Sequence, residues 1–340
     1  MSDAYSQAGV NIAAGNRATA LMKDAIKSTY GAEVLSETGS FGGLFSAQAL
    51  TAMDAPVLVA STDGVGTKTM VAAKMGKWDT IGQDLVNHCV NDILVQGAKP
   101  LFFLDYIASS SLVPEQIAAV VGGCATACKA IGVALLGGET AEMPGVYQSG
   151  ELDLVGTIIG VVDKANLIDG SRIQSGDVIL SLPSTGLHTN GFSLARKVLA
   201  DFDWTQARDD LGGASIGEAL LAIHRCYLPE VNALRTAQID IHGLAHITGG
   251  GVLDNLPRIL PEGLGAIIRR NTWSMPPIFK LIQEQGDISD LDMFHAFNMG
   301  LGMLVIVPAA HSARIIESTT IENGTIVGEI VAGHDGVDLQ

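Results

Sequence analysis

The pattern that most constrains this chain is an alternation of short apolar runs with segments of helical period. Pro56 to Ala60, Leu101 to Ile107, Val133 to Leu136 and Leu152 to Val162 are apolar runs of strand length. Between the first two lies Thr80 to Gln96, whose Ile81, Leu85, Cys89, Ile93 and Leu94 recur at helical spacing. This order predicts an α/β or α+β fold rather than a bundle or a sandwich. The second half repeats it, with strands expected at Val178 to Leu182, Leu264 to Ile268 and Met303 to Val307, and helices near Phe192 to Leu199 and Pro277 to Gln285. Between the halves, Asp169-Gly170-Ser171 and Ser175-Gly176-Asp177 are turn chemistry. They place a boundary that divides the chain into domains 1–168 and 169–340, a length suited to two cores with a cleft between two lobes. No fixed-period repeat or low-complexity linker interrupts them.

Charge narrows the partners. With 20 Lys+Arg against 36 Asp+Glu the formal charge is -16 and no basic patch is visible, so nucleic acid and anionic membrane are disfavoured. An acidic protein that binds a polyanion needs cations at the site, and a divalent metal supplies them. The cysteines Cys89, Cys124, Cys128 and Cys226 form no Cys-x-x-Cys pair, which fits a reducing cytoplasm. Cys124 and Cys128, one helical turn apart, are expected to be buried helix-face residues rather than ligands. Met1 to Ser6 lacks the basic-then-apolar order of a signal peptide. Ile117 to Leu136 is mostly apolar, but Lys129 and Gly122-Gly123 make it a small-residue helix followed by a strand rather than a membrane span.

The chemistry gathers at glycine-rich segments: Gly39 to Gly43, Asp63 to Gly66, Gly137-Gly138 and Gly249 to Gly251. Such loops can present backbone N–H groups to phosphate. The first chemical segment, Ser61-Thr62-Asp63-Gly64-Val65-Gly66-Thr67-Lys68, lacks the spacing of a P-loop. It admits two readings: Asp63 holding Mg²⁺ with Lys68 neutralising a phosphoryl oxygen, or a turn in which Asp63 caps a helix and Lys68 is solvated. On the helix from Thr80, Asp84, His88 and Asn91-Asp92 form a stripe at one-turn intervals, either a metal face or a solvated one. Asp92 is the ligand candidate, with the Asn91 amide oxygen as a second hard donor. In Gly137-Gly138-Glu139-Thr140-Ala141-Glu142 two carboxylates stand three residues apart, which favours a cation between them over a plain loop, with helix capping by Glu139 as the other reading. Asp63, Asp92, Glu139 and Glu142 together would make a Mg²⁺ cage for a triphosphate.

In the second half, Gly186-Leu187-His188-Thr189-Asn190-Gly191 precedes a helix that Asn190 could cap. His188 is a candidate donor to a reacting oxygen, although a lone histidine is more often structural. Thr248-Gly249-Gly250-Gly251 likewise leads into a helix, either as a tight entry or as a second phosphate cradle.

These segments in this order resemble the aminoimidazole ribonucleotide synthetases, the phosphoribosylformylglycinamidine cyclo-ligases of purine biosynthesis. The resemblance rests on Ser61 to Lys68, Cys89 to Ala98, Pro100 to Tyr106, Gly137 to Gly145, His188 to Gly191, His246 to Gly251 and Phe297 to Met303, and so spans nearly the whole chain. It implies ATP-dependent closure of an imidazole ring on formylglycinamidine ribonucleotide, with release of ADP and phosphate. ATP would phosphorylate the formamide oxygen, the ribosyl-bearing nitrogen would attack the formyl carbon, and phosphate would leave. It also implies a cytoplasmic homodimer whose N-terminal sheets join into a β-barrel, with Gly39 to Gly43 covering ATP.

Residue by residue, the expected catalytic set is His188, Lys68 and Asp92, with His188 near the formyl group. The ATP set is Gly42, Gly43, Thr62, Asp63, Gly64, Gly66, Thr67, Asn91 and Gly138, with Mg²⁺ on Asp63, Asp92, Glu139 and Glu142. The substrate set is Thr189, Asn190, Thr248, Gly249 and Gly250. The chain departs from the family at Ser6 after Tyr5, where Lys is usual, and at Ile223-His224 before Arg225-Cys226-Tyr227, where Pro-Thr is usual. Leu187 and Thr189 flank His188 where Pro and Ser are usual. Selenide water dikinase, thiamine-phosphate kinase and the glycinamidine-forming amidotransferase are rivals within the same superfamily. A nucleotide-binding maturation scaffold is the non-catalytic rival.

Overall fold

The computed structural model describes residues 9–316 and 324–340, so Tyr5 and Ser6 lie outside the described residues. The chain forms two compact units, one comprising residues through Ile93 with Ala98–Ala165, the other Leu94–Gly97 with Asn166–Gln340.

The first unit contains α1 (Ile12–Lys27), β1 (Pro56–Gly64), α2 (Lys68–Met75), α3 (Asp79–Leu94), β2 (Lys99–Ser109), α4 (Pro114–Ala130), β3 (Ala134–Glu142) and β4 (Leu152–Asp163). Its sheet has the order β1-β4-β2-β3; β4 is antiparallel to both neighbours, and β2 and β3 are parallel, joined by the α4 crossover. One face is closed by α3. A Cβ on Gly156 of β4 would lie 2.2 Å from the Phe103 ring and 2.9 Å from Leu85, and one on Gly160 would lie 2.6 Å from Ile93. These strand glycines let large apolar side chains cross the sheet surface. α3 and α4 cross backbone to backbone: a Cβ on Gly82 would lie 2.0 Å from the Val120 carbonyl, and one on Gly123 2.1 Å from that of Asp79. Gly123, part of what made this stretch look unlike a membrane span, thus serves a helix crossing. No helix among the described residues is long and apolar enough to cross a membrane. Cys124 and Cys128 are buried on α4, and burial pushes both thiols far above their ordinary pKa.

Two strands run past their expected ends. Ser61 to Gly64 continues β1, in register with Ile158 to Val155 of β4, and Gly137 to Glu142 continues β3 alongside Leu104 to Ser109. The glycines suggested loops, but their partners extend equally far and the ladder holds the polar residues in strand geometry. At Gly138 the reason for glycine is close approach: a Cβ there would lie 2.3 Å from the Asp105 carboxylate.

The second unit contains β5 (Val178–Pro183), α5 (Phe192–Val198), α6 (Ile216–Leu220), α7 (Leu228–Thr236), β6 (Gly243–His246), α8 (Gly251–Asn255), β7 (Leu264–Ile268), α9 (Pro277–Gly286), α10 (Asp290–Ala296), β8 (Leu301–Val307), α11 (Ser312–Ile316), β9 (Thr325–Ala332) and β10 (Gly336–Leu339). Its sheet is ordered β10-β7-β9-β5-β8-β6, with only β10 and β7 parallel. Every residue of β8 is buried, which places the core of this unit at the strand paired with both β5 and β6. The mixed α/β class read from the sequence holds in both units.

Candidate functional site

In the first unit the chemistry gathers where β1 passes α3. Asp63 and Asp92 both reach one nitrogen: His88 Nε2 lies 3.0 Å from Asp63 Oδ2 and 3.7 Å from Asp92 Oδ2. Ser61 Oγ donates to Asp92 Oδ2 at 3.1 Å, and Asp63 Oδ1 accepts the Gly64 N–H at 2.6 Å. Burial alone would lower the His88 pKa, but the Asp63 hydrogen bond and the charges of Asp92, Asp63 and Asp84 hold it above the ordinary histidine range. Asn91, one turn from His88 on α3, is fully buried. The stripe is therefore a packed face, not a solvated one: His88 and Asp92 meet Asp63 and Ser61 of β1, and Asp84 meets Lys68 of α2. Two neighbouring carboxylates, both against His88 and one with the Ser61 hydroxyl on it, offer hard oxygen donors of the kind that suits Mg²⁺.

Lys68 departs from both sequence readings. It is fully buried, neither solvated nor exposed to a ligand, and its Nζ lies 2.8 Å from Asp84 Oδ2. Burial lowers its pKa while the Asp84 charge and hydrogen bond resist. Thr62 and Asp63, adjacent on a strand, project to opposite faces; Thr62 Oγ1 meets Thr157 Oγ1 at 2.8 Å on the side away from α3. Gly66, at φ 53, and Thr67 form the short turn into α2, where no Thr67 side-chain cap forms.

The expected Glu139/Glu142 pair does not converge. Three positions apart on one strand, the two side chains leave opposite faces of β3. Glu142 accepts backbone N–H groups from Asn11 and, at 2.9 Å, from Leu112, anchoring the start of α1 and the approach to α4. Glu139 instead lines a cavity of about 670 Å³ together with Gly42, Gly43, Gly138, Tyr30 and Asp105. Burial pushes the Asp105 carboxyl up to about 7, its own backbone N–H offsetting this only in part. Sequence reasoning gave Asp105 no role, although a carboxylate inside the apolar run Leu101 to Ile107 was a legible signal.

The Asp105 pKa carries a testable sign. An unfolded aspartate titrates near 3.8. Between about pH 4 and 7 the folded protein keeps a proton that the unfolded chain has lost, so stability falls as pH rises through that window. The loss is at most about 4 kcal/mol, since each pKa unit is worth about 1.4 kcal/mol. Asp105→Asn should flatten the dependence, read as thermal midpoints at about pH 5 and pH 8. An equal drop in both proteins would show that another group titrates.

In the second unit the loop 186–191 holds His188 buried and at φ 61, a left-handed conformation that costs a non-glycine residue about 1 kcal/mol. Its Nε2 accepts the Thr185 N–H at 3.2 Å, which leaves the ring proton on Nδ1 when the ring is neutral. Asn190 does not cap α5; the cap position is Gly191, and Asn190 Nδ2 reaches Thr189 Oγ1 at 3.4 Å. The second loop adjoins the first, since a Cβ on Gly249 would lie 3.2 Å from Asn190 Oδ1. Asn255 holds it, accepting from Thr248 Oγ1 at 3.2 Å and donating to the Gly249 carbonyl at 3.0 Å. Thr189, Asn190, Thr248, Gly249 and Gly250 thus share one neighbourhood. His224 and His246 adjoin it as well, stacked on or tilted against the ring next in line.

The sequence matches the AIR synthase related proteins twice, through their N-terminal domain at residues 47–162 and their C-terminal domain at residues 174–339. It is 52% identical over 307 residues, 90% of each chain, to a phosphoribosylformylglycinamidine cyclo-ligase of Desulfitobacterium hafniense (strain DSM 10664 / DCB-2). It is 48% identical over 340 residues to that of Alkaliphilus oremlandii (strain OhILAs), covering 98% of this chain and 99% of the relative. The chain belongs to the phosphoribosylformylglycinamidine cyclo-ligase family. The cyclo-ligase fold extends to more distant structures. Thiamine-monophosphate kinase from Stenotrophomonas maltophilia K279a aligns at a TM-score of 0.67 with 18% identity, over 94% of this chain and 96% of that one. HypE of E. coli aligns at 0.66 with 18% identity, over 96% and 93%. At such identities the likeness concerns fold alone.

Proposed function

We propose that this chain closes the imidazole ring of aminoimidazole ribonucleotide on formylglycinamidine ribonucleotide, consuming ATP and releasing ADP and phosphate. The convergence of Asp63 and Asp92 on His88 carries the reading, because a triphosphate in so acidic a protein needs a divalent cation held by carboxylates. Held by these two carboxylates beside His88, Mg²⁺ would neutralise the phosphate oxygens. The Ser61 hydroxyl on Asp92 is a further oxygen donor, with Asn91 one turn along α3 from His88. The cavity bounded by Gly42, Gly43, Gly138 and Glu139 has the volume of a small-ligand site and suits the nucleoside of ATP.

The formamide oxygen is a poor leaving group, so the γ-phosphoryl group is transferred to it. The amidine nitrogen then attacks the formyl carbon, the C–O bond breaks as phosphate departs, and the nitrogen loses its proton. Thr189, Asn190 and the Thr248 to Gly250 loop receive the ribonucleotide, with His188 at the formyl group. A homodimer fits the first unit: β1 is an edge strand, and Leu58 on it is 64% exposed on the face that α3 does not cover. The setting proposed is the cytoplasm.

Purified protein given Mg-ATP and formylglycinamidine ribonucleotide is expected to release phosphate and form aminoimidazole ribonucleotide. ADP formation with phosphoryl transfer to thiamine phosphate, and no turnover of this substrate, would transfer the assignment to the kinases that share the fold.

A further inference from the structure

Three buried imidazoles from three separate segments meet in the second unit. His188 belongs to the loop before α5, His224 to the segment between α6 and α7, and His246 ends β6. His224 is at their centre. Its ring stacks on His188 with centroids 4.0 Å apart and planes at 20°. Its Nδ1 lies 3.3 Å from Thr189 Oγ1, and its Nε2 lies 3.0 Å from His246 Nε2.

Two ring nitrogens at hydrogen-bond distance need one proton between them. When neutral His224 carries its proton on Nε2, it donates to His246, and its Nδ1 accepts from the Thr189 hydroxyl. When it carries the proton on Nδ1, it donates to Thr189 and accepts from His246 Nε2–H. A neutral His224 keeps both bonds only in these two arrangements. The direction of the Thr189 O–H is therefore tied to the tautomer of a histidine two segments away. In the second arrangement the Thr189 oxygen takes donors from His224 and Asn190, and its own hydrogen is directed at another acceptor.

We propose that His224 is a positioning residue of this site: its stacked ring fixes the plane of His188, and the proton it shares with His246 sets whether the Thr189 hydroxyl donates or accepts. His224 is fully buried, so it acts through these neighbours. The inference rests on the reading that the loop 186–191 faces the substrate.

His224→Phe keeps a ring to stack on His188 and removes both edge bonds. Its kcat is expected to fall roughly ten- to hundredfold, the range for a misplaced reacting geometry, with KM for ATP unchanged. His224→Gln, which offers one donor and one acceptor, should recover part of the loss. Long-range proton–nitrogen spectra should show His246 in a single tautomer in the wild type and in exchange between two in His224→Phe. His188→Ala is the reference. If it loses turnover while folded His224→Phe keeps wild-type kcat, the inference fails and the loop reading stands. If both keep wild-type turnover, the loop does not face the substrate and both fall. Should His224→Phe not fold, His224→Gln and the wild-type spectra decide, and a His246 ring exchanging between tautomers in the wild type overturns the proposal.

Discussion

Asp84→Asn is expected to remove roughly 3–5 kcal/mol of stability, the cost of leaving a buried charge without its partner. Lys68 and Asp84 are both fully buried at 2.8 Å, so no water can take over when one is changed. Burial already lowers the Lys68 pKa, and the Asp84 charge is what resists that fall. Without it the lysine must shed its proton to stay inside, and the variant should lose further stability as pH falls, because the unfolded lysine binds a proton that the folded one refuses. Replacing both, Lys68→Met with Asp84→Leu, should restore most of the loss, since a buried ion pair exchanged for apolar groups of similar volume is often neutral or better. Urea unfolding of the two variants measures this; a single variant within about 0.5 kcal/mol of wild type would show that the pair is not sealed. The double variant also decides the role first assigned to Lys68. If it folds and binds Mg-ATP as the wild type does, Lys68 is part of the scaffold rather than a phosphate ligand.

Asp63→Asn is expected to weaken Mg²⁺-dependent nucleotide binding by about a hundredfold or more, equivalent to roughly 2.7 kcal/mol, while leaving the fold intact. Asp63 is about half exposed at the end of β1, so little packing is lost with its charge. Titration calorimetry with a non-hydrolysable ATP analogue and Mg²⁺ provides the readout, with Glu142→Gln as the contrast. Glu142 holds the backbone of Asn11 and Leu112, so its substitution should leave nucleotide affinity alone and loosen the start of α1. Unchanged affinity in Asp63→Asn would make Asp63 a structural partner of His88.

Helical spacing alone put Asp84, His88 and Asp92 in one row, but not what covers them. That depended on β1 extending through Gly64, and glycine at 64 and 66 reads equally well as a loop. The same ambiguity misplaced Glu139 and Glu142, which converge if Gly137-Gly138 begins a loop and diverge if it continues a strand. The ladder that decides between these is set by β2, some thirty residues away in sequence. α1 was not read from the sequence: only Ala14 and Ala18 of its residues are buried, so little of a core-facing stripe marks it. The pairing of Lys68 with Asp84 and the meeting of His224 with His246 lay beyond local reading, since neither partner's neighbours in sequence name the other. The loops 186–191 and 248–250 stood out as candidates through their glycines, hydroxyls and amide. Their adjacency was not.

The crossing of α3 and α4 at Gly82 and Gly123 bears on how this protein would look in a survey of substitutions. Any side chain at either position must displace the facing helix backbone, so both should tolerate change as poorly as Asp63 or His188. A map built from intolerance alone would mark the contact between these two helices as strongly as a ligand site, on grounds of backbone packing alone.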